Sequence, residues 1–190
     1  MRLGIADHLG WAIAVIAAPD GAVVDRRRVE LIAPGLPAAP VHHEGGAHLM
    51  HRVGQPLTDA ALASLVVTVR ASIVTSTSLA LDELASAAGA PIDSISLRTW
   101  PAEFPSDIAT QRRAPYEARA DAIMYRQVLA ELGHARGWRI HQYDAKRVEA
   151  EAVGLVGEGG EGILHRPRAV LGAPWSKDHR VALAAAIVAP

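Results

Sequence analysis

The chain has 190 residues, of which 50% are hydrophobic and 21% are charged, a composition that fits one packed domain and excludes an intrinsically disordered protein. It contains no cysteine, which excludes disulfide frameworks, thiolate zinc sites and cysteine nucleophiles. The formal net charge of -1 gives no global field for a polyanion, so any nucleic-acid site must be a local basic patch.

The first part of the chain predicts an antiparallel meander. Strands are expected at residues 2–6, 10–18 and 22–32, and Pro19, Asp20 and Gly21 supply a tight turn between the second and the third. Residues 33–56 are rich in Pro, Gly and His and show no periodicity, which predicts a loop.

Helices and strands alternate in the rest of the chain. Leu57, Thr58 and Asp59 are typical of a helix start, and Gly89 follows the expected end of that helix. The later elements are expected as a strand at 91–98, helices at 116–136, from 144 and at 177–188, and a strand at 137–143. This order predicts one α/β domain over residues 1–190, a mixed sheet with helices on both faces, as in the ribonuclease H fold.

The first strands also resemble a known family. Leu3-Gly4-Ile5-Ala6-Asp7 followed by Gly10-Trp11-Ala12-Ile13 is similar to the opening hairpin of RuvC-type Holliday-junction resolvases, where the first strand ends in a catalytic Asp. Looser similarity continues at residues 91–97, 117–137, 138–148 and 178–187. The resemblance implies a five-stranded ribonuclease H-like sheet, a three-strand meander plus two parallel strands. It also implies phosphodiester hydrolysis by paired Mg²⁺ or Mn²⁺ ions on three or four carboxylates.

The acidic set that the resemblance implies is incomplete in this chain. The fourth-strand Glu falls at Leu97 or Arg98, and the second acid of the last helix falls at Val181. Direct alignment to the family's Gly-Ile-Asp places Ala6 at the catalytic position and Asp7 one residue later. A shift of one residue in a strand reverses the face to which a side chain points.

Asp7 and Asp178 are the remaining candidates for catalysis and for Mg²⁺ or Mn²⁺ ligation, and each has a structural alternative. Asp7 fits equally the tight turn into Gly10, and Asp178 fits the first turn of a helix behind Ser176, where an acid is favoured by the helix dipole. At the position of the missing Glu, Arg98 is expected to pair with one of the two acids as a salt bridge in place of a metal ion.

The residues expected to bind nucleic acid are Arg112, Arg113 and Arg119 near the end of the fourth strand, Tyr116 beside them as a base-stacking residue, and Lys177. A half-buried Tyr116 that caps its helix is the alternative to base stacking. Lys177 or His179 would neutralise a scissile phosphate or move a proton if catalysis survives. Residues 26–28, three arginines on the third strand, are expected to protect a sheet edge, with phosphate contact as the alternative.

Two further segments suggest ligands less specifically. The histidines His42, His43, His48 and His51 lie with Glu44 in the expected loop, where a solvated segment is favoured over a Zn²⁺ or Ni²⁺ site because no helical His-Glu-x-x-His pattern is present. The glycine-rich run at 157–162 has no strand before it and no Gly-Lys-Ser/Thr after it, which favours a connector over a phosphate loop.

Two functions are therefore open. The first is a diverged protein that binds or processes DNA or RNA, with weak or lost two-metal phosphodiesterase activity. The second is a non-catalytic interaction module or homodimer that uses the long helix from Thr58 and the alanine face of the last helix. No segment approaches the roughly 20 unbroken apolar residues of a membrane span and the start lacks a signal-peptide pattern, so we expect no membrane partner and a cytoplasmic location.

Overall fold

The computed structural model describes residues 1–46 and 55–190 and has a five-stranded mixed sheet at its centre, ordered β3-β2-β1-β4-β5. The strands are β1 (Arg2–Asp7), β2 (Trp11–Ala17), β3 (Val23–Glu30), β4 (Ser94–Arg98) and β5 (Arg139–Tyr143). β1, β2 and β3 pair antiparallel, whereas β4 pairs parallel with β1 and β5 parallel with β4. The predicted α/β class, with a three-strand meander and two parallel strands, is confirmed.

Seven α-helices connect and cover these strands in the described part of the chain. They are α1 (Asp59–Ala87), α2 (Ile108–Gln111), α3 (Glu117–Ala135), α4 (Val148–Val156), α5 (Gly160–Ile163), α6 (Arg166–Leu171) and α7 (Lys177–Val188). The sequence did not predict α2, α5 and α6, because helices of four to six residues are too short to show a period. One of them, α5, lies partly in the glycine-rich run that was expected to be a connector.

Helix boundaries follow local hydrogen bonds. The Thr58 hydroxyl accepts the amide of Ala61 at 3.3 Å, and Ser176 forms a capping box with His179, so both predicted caps are confirmed. The fourth helix begins at Val148 and not at 144, because the carboxylate of Asp144 accepts the amide of Lys146 in a preceding turn.

The predicted loop at 33–56 contains a π-helical turn, Pro40–Gly45, that includes His42 and His43. The carboxylate of Asp121 on α3 accepts the amides of Val41 and His42 at 3.0 and 2.9 Å and so attaches this turn to the helix. Burial raises the pKa of Asp121 to about 6. His48 and His51 lie outside the described residues.

Two hydrophobic layers pack on opposite faces of the sheet, as predicted. Leu3 and Ile5 point into a core with α1 and α3, whereas the intervening and following strand positions, Gly4 and Ala6, face α7. The alanine face of α7 is fully buried against the sheet at Ala182, Ala184, Ala185 and Ala186. That face is therefore not available to a partner, contrary to one part of the interaction-module interpretation.

By length and composition, α1 is apolar enough to cross a membrane, although the sequence analysis expected no such segment. Its inner face is part of the core, where Leu62, Val69, Ile73, Leu81 and Leu84 are buried. This is the arrangement of a helix that covers one face of a sheet in an α/β domain.

Substitution of Gly4 by alanine should separate α7 from the sheet. A Cβ atom at this position would lie 1.8 Å from the carbonyl oxygen of Ala182, a backbone atom that cannot move without the helix. We expect Gly4→Ala to lower the free energy of unfolding, measured in urea, by about 3 kcal/mol or more.

The matched control is Gly154→Ala, because Gly154 is a glycine inside α4 with no atom within 4 Å of an added Cβ. It should raise the free energy of unfolding by about 0.5 to 1 kcal/mol through helix propensity. Unchanged stability in Gly4→Ala would contradict the close packing of α7.

Candidate ion-pair site at the sheet edge

Asp7 ends the central strand β1 with a side chain that is only 2% exposed. Its Oδ2 atom accepts a hydrogen bond from Nε of Arg126, on α3, at 2.8 Å. The turn into Gly10 does not use this carboxylate, because the turn is closed by the amide of His8 donating to the carbonyl of Trp11 at 2.9 Å. Asp7 is thus one half of a buried ion pair.

Arg98 brings a second guanidinium to the same carboxylate. Its Nε lies 3.8 Å from Oδ1 of Asp7, close enough for an ion pair and too far for a hydrogen bond. Both atoms are buried, and neither has a hydrogen-bond partner among the described residues. The expected salt bridge between Arg98 and an acid is confirmed for Asp7.

The two arginines reach Asp7 from opposite faces of the sheet. Arg126 belongs to α3, which covers one face. Arg98 is in register with Tyr143 of β5, and Tyr143 packs in the core on the α7 face. The carboxyl end of β1 is therefore closed by positive charge from both faces.

Tyr143 connects the end of β5 to β1. Its hydroxyl donates to the carbonyl of Ile5 at 2.6 Å. Burial, and then the Asp7 charge, raise the pKa of Tyr143, while Arg98 and Arg126 act in the opposite direction. The phenol stays protonated at neutral pH and serves as a hydrogen-bond donor within the fold.

Asp178, in the first turn of α7, has a different partner. Its Oδ2 lies 3.2 Å from Nε2 of His8. The His8 ring stacks on Trp11 with centroids 4.0 Å apart, and the guanidinium of Arg28 lies 3.9 Å from the Trp11 centroid. Two groups this close must occupy opposite faces of the indole, so both faces of Trp11 are covered.

The two predicted metal ligands have different partners in the structure. Asp7 bonds to a helix on one face of the sheet, and Asp178 belongs to the helix on the other face. Ala6, not Asp7, stands at the position that faces α7. This is the consequence of the one-residue shift noted in the sequence.

The residues present do not fit the two-metal centre that the resemblance implies. Within 1–46 and 55–190, no three His, Cys, Asp or Glu side chains are grouped as ligands for a metal ion. At Asp7 the neutralising charge already comes from guanidinium groups, which would repel a divalent cation. The Mg²⁺ or Mn²⁺ prediction therefore has no complete donor set in the described residues.

The predicted nucleic-acid residues have different environments. Arg112 is used within the fold, because it pairs with Asp59 and donates to the carbonyls of Gly45 and Leu57 at 3.0 and 2.7 Å. Tyr116 is half-buried, with its ring edge-on to Phe104 at 5.7 Å. The remaining three, Arg113, Arg119 and Lys177, are exposed.

His179 and the arginines of β3 also have partners in the fold. The Nδ1 atom of His179 lies 2.8 Å from the Ser176 hydroxyl, and burial, then Arg26, lower its pKa. The β3 arginines contact neighbouring groups, Arg26 the carbonyls of Leu171 and Gly172, Arg27 the carboxylate of Asp25, and Arg28 that of Glu30. These contacts agree with the structural interpretation of an edge strand.

Sequence reasoning did not identify Arg126 or His8. Arg126 carries the one weak signal, a charged residue directly beside the buried positions Tyr125, Val128 and Leu129 of α3. A charge beside an apolar helix stripe indicates a buried partner, but the partner cannot be named from one sequence. His8 has no signal beyond its position after Asp7.

Comparison with known proteins does not identify a family. No protein-family model matches the chain, and no curated protein matches it significantly. The resemblance to RuvC-type resolvases therefore stays a prediction, based on the opening motif and the order of the elements.

Removal of Arg126 should reveal how strongly the fold depends on this ion pair. Arg126→Met leaves the buried Asp7 carboxylate without its hydrogen-bonded partner. We expect the free energy of unfolding in urea to fall by about 3 kcal/mol or more, the usual effect of breaking a buried pair.

The matched control is Arg70→Met, which removes an arginine from an exposed pair with Glu131. We expect it to lower the free energy of unfolding by about 1 kcal/mol or less, because solvent screens exposed charges. Equal losses in the two variants would show that the Asp7 pair has no special role in stability.

Proposed function

We propose that this chain is a ribonuclease H-like protein that binds nucleic acid and has lost two-metal phosphodiester hydrolysis. The observation that supports the proposal is the pairing of Asp7 with Arg126 and Arg98 at the carboxyl end of the central strand. The resemblance implies a metal-binding carboxylate at this end of the sheet.

The chemistry of the two kinds of cation explains the proposed loss. A divalent metal can bind phosphate, stabilise the leaving oxygen and lower the pKa of a bound water. A guanidinium binds phosphate by paired hydrogen bonds, but it has no coordination site in which to activate water. A site with arginines at Asp7 supplies the electrostatic part of substrate binding without the nucleophile.

Exposed cations on neighbouring segments support nucleic acid as the ligand. Arg113 and Arg119 lie on the segment that follows β4, and Lys177 begins α7, whose first turn contacts His8 next to Asp7. With a formal net charge of -1, the whole chain has no general basic surface, so binding would depend on individual exposed cations such as these.

Binding is tested by fluorescence anisotropy with labelled single-stranded DNA, duplex DNA, a four-way junction and matched RNA, across a salt series. We expect salt-dependent binding and no cleavage in Mg²⁺ or Mn²⁺. The double variant Arg113→Gln with Arg119→Gln should weaken binding about tenfold or more and reduce the salt slope by about two.

The control is Arg168→Gln, an exposed arginine on α6. Neighbouring α6 residues line a cavity with Asp20 and Gly21, the turn at the opposite end of β2, so this substitution should leave binding unchanged. Cleavage that is abolished by Asp7→Asn would contradict the loss of hydrolysis. An absence of binding at low salt would contradict the nucleic-acid proposal.

A second candidate function, a homodimer-forming interaction module, is favoured by the outer face of α1. Val67 and Leu79 on this face are 69% and 62% exposed. Light scattering should then give the mass of a dimer for the native chain and of a monomer for Val67→Lys with Leu79→Lys. A monomeric native chain would eliminate this candidate.

A further inference from the structure

Two guanidinium groups meet where β1 and β4 end, and both turn an Nε atom toward one carboxylate. Arg126 approaches Asp7 Oδ2 to 2.8 Å, and Arg98 approaches Oδ1 to 3.8 Å. Since each arginine has three nitrogens, the contact with Asp7 uses only one edge of each group.

Burial differs between the acid and the two bases. The Asp7 side chain is 2% exposed, whereas those of Arg98 and Arg126 are 27% and 16% exposed. The negative charge is thus inside and the positive charges are nearer the solvent. With one acid and two arginines, the trio carries an excess of one positive charge.

The two arginines give few hydrogen bonds to the backbone of the described residues. The Nη1 atom of Arg126 donates a hydrogen bond to the carbonyl of Thr99 at 3.3 Å. Arg98 contacts Asp7 and lies near the Tyr143 hydroxyl, and it donates no hydrogen bond to a backbone carbonyl within the described residues. Guanidinium groups that give few hydrogen bonds to the backbone, together with a net positive charge, are the properties of an anion site.

We propose that Arg98 and Arg126 form a phosphate subsite at the end of β1, with Asp7 as the positioning residue that holds the two guanidinium groups together. The inference rests on the proposed nucleic-acid function and adds to it the contact that receives one backbone phosphate. The phosphate is bound directly by arginine, in a place where the resemblance implies binding through metal ions.

The ligand must be a phosphate and not a neutral group. A neutral ligand gains only modest hydrogen bonds from a partly exposed guanidinium, whereas a phosphate oxygen gains charge-assisted bonds from two guanidinium groups. The same geometry accepts a free phosphate ion, so the experiment separates a nucleic-acid phosphate from inorganic phosphate.

The test compares Arg98→Gln and Arg98→Lys in the anisotropy assay and in titrations with inorganic phosphate followed by NMR. Arg98 is suitable because its pair with Asp7 is long and its side chain is partly exposed. We expect Arg98→Gln to weaken nucleic-acid binding about tenfold and to reduce the salt slope by about one. Arg98→Lys keeps the positive charge but loses the paired hydrogen-bond donors of the guanidinium. Its affinity for nucleic acid should lie between those of the native chain and Arg98→Gln.

Each outcome distinguishes the subsite from the wider function. If the native chain binds nucleic acid and Arg98→Gln binds within twofold of it, the subsite is wrong and the proposed function survives. If nucleic acid does not bind but inorganic phosphate shifts resonances in an Arg98-dependent way, the subsite survives and the proposed function fails. If neither ligand binds, both are wrong. Arg168→Gln is again the matched control, and circular dichroism verifies the fold of every variant.

Discussion

A carboxylate buried at the end of the central strand is the constraint on which this structure depends. An unpaired charge in a protein interior costs several kcal/mol, so Asp7 requires cations close by. Arg126 meets this requirement from α3 and Arg98 from β4. The same charge therefore attaches a helix and a neighbouring strand to β1.

The close packing of α7 explains why Asp7 points away from the helix that carries Asp178. Gly4 and the alanines of α7 let the helix backbone approach the sheet, and Ala6 continues that surface toward the end of β1. Since side chains alternate along a strand, Asp7 points to the other face. Asp178 lies close to His8, so the two acids make separate contacts within the fold.

The fold was largely predictable because its signals are local. The turn around Gly21, the alternation in β4 and the caps at Thr58 and Ser176 each involve neighbouring residues, and the structure places them as expected. The site was only partly predictable. The salt bridge of Arg98 was predicted because the acid expected at its position is absent. The pair of Arg126 and Asp7 joins residues 119 positions apart, and no local pattern encodes that contact.

The most direct test is a calorimetric titration of Mn²⁺ into the metal-free native chain and into Asp7→Asn. If arginine charge has taken the place of metal at Asp7, neither protein binds Mn²⁺ at millimolar concentration, because the carboxylate is already neutralised. Stoichiometric binding by the native chain that disappears in Asp7→Asn would contradict this interpretation and identify Asp7 as a metal ligand.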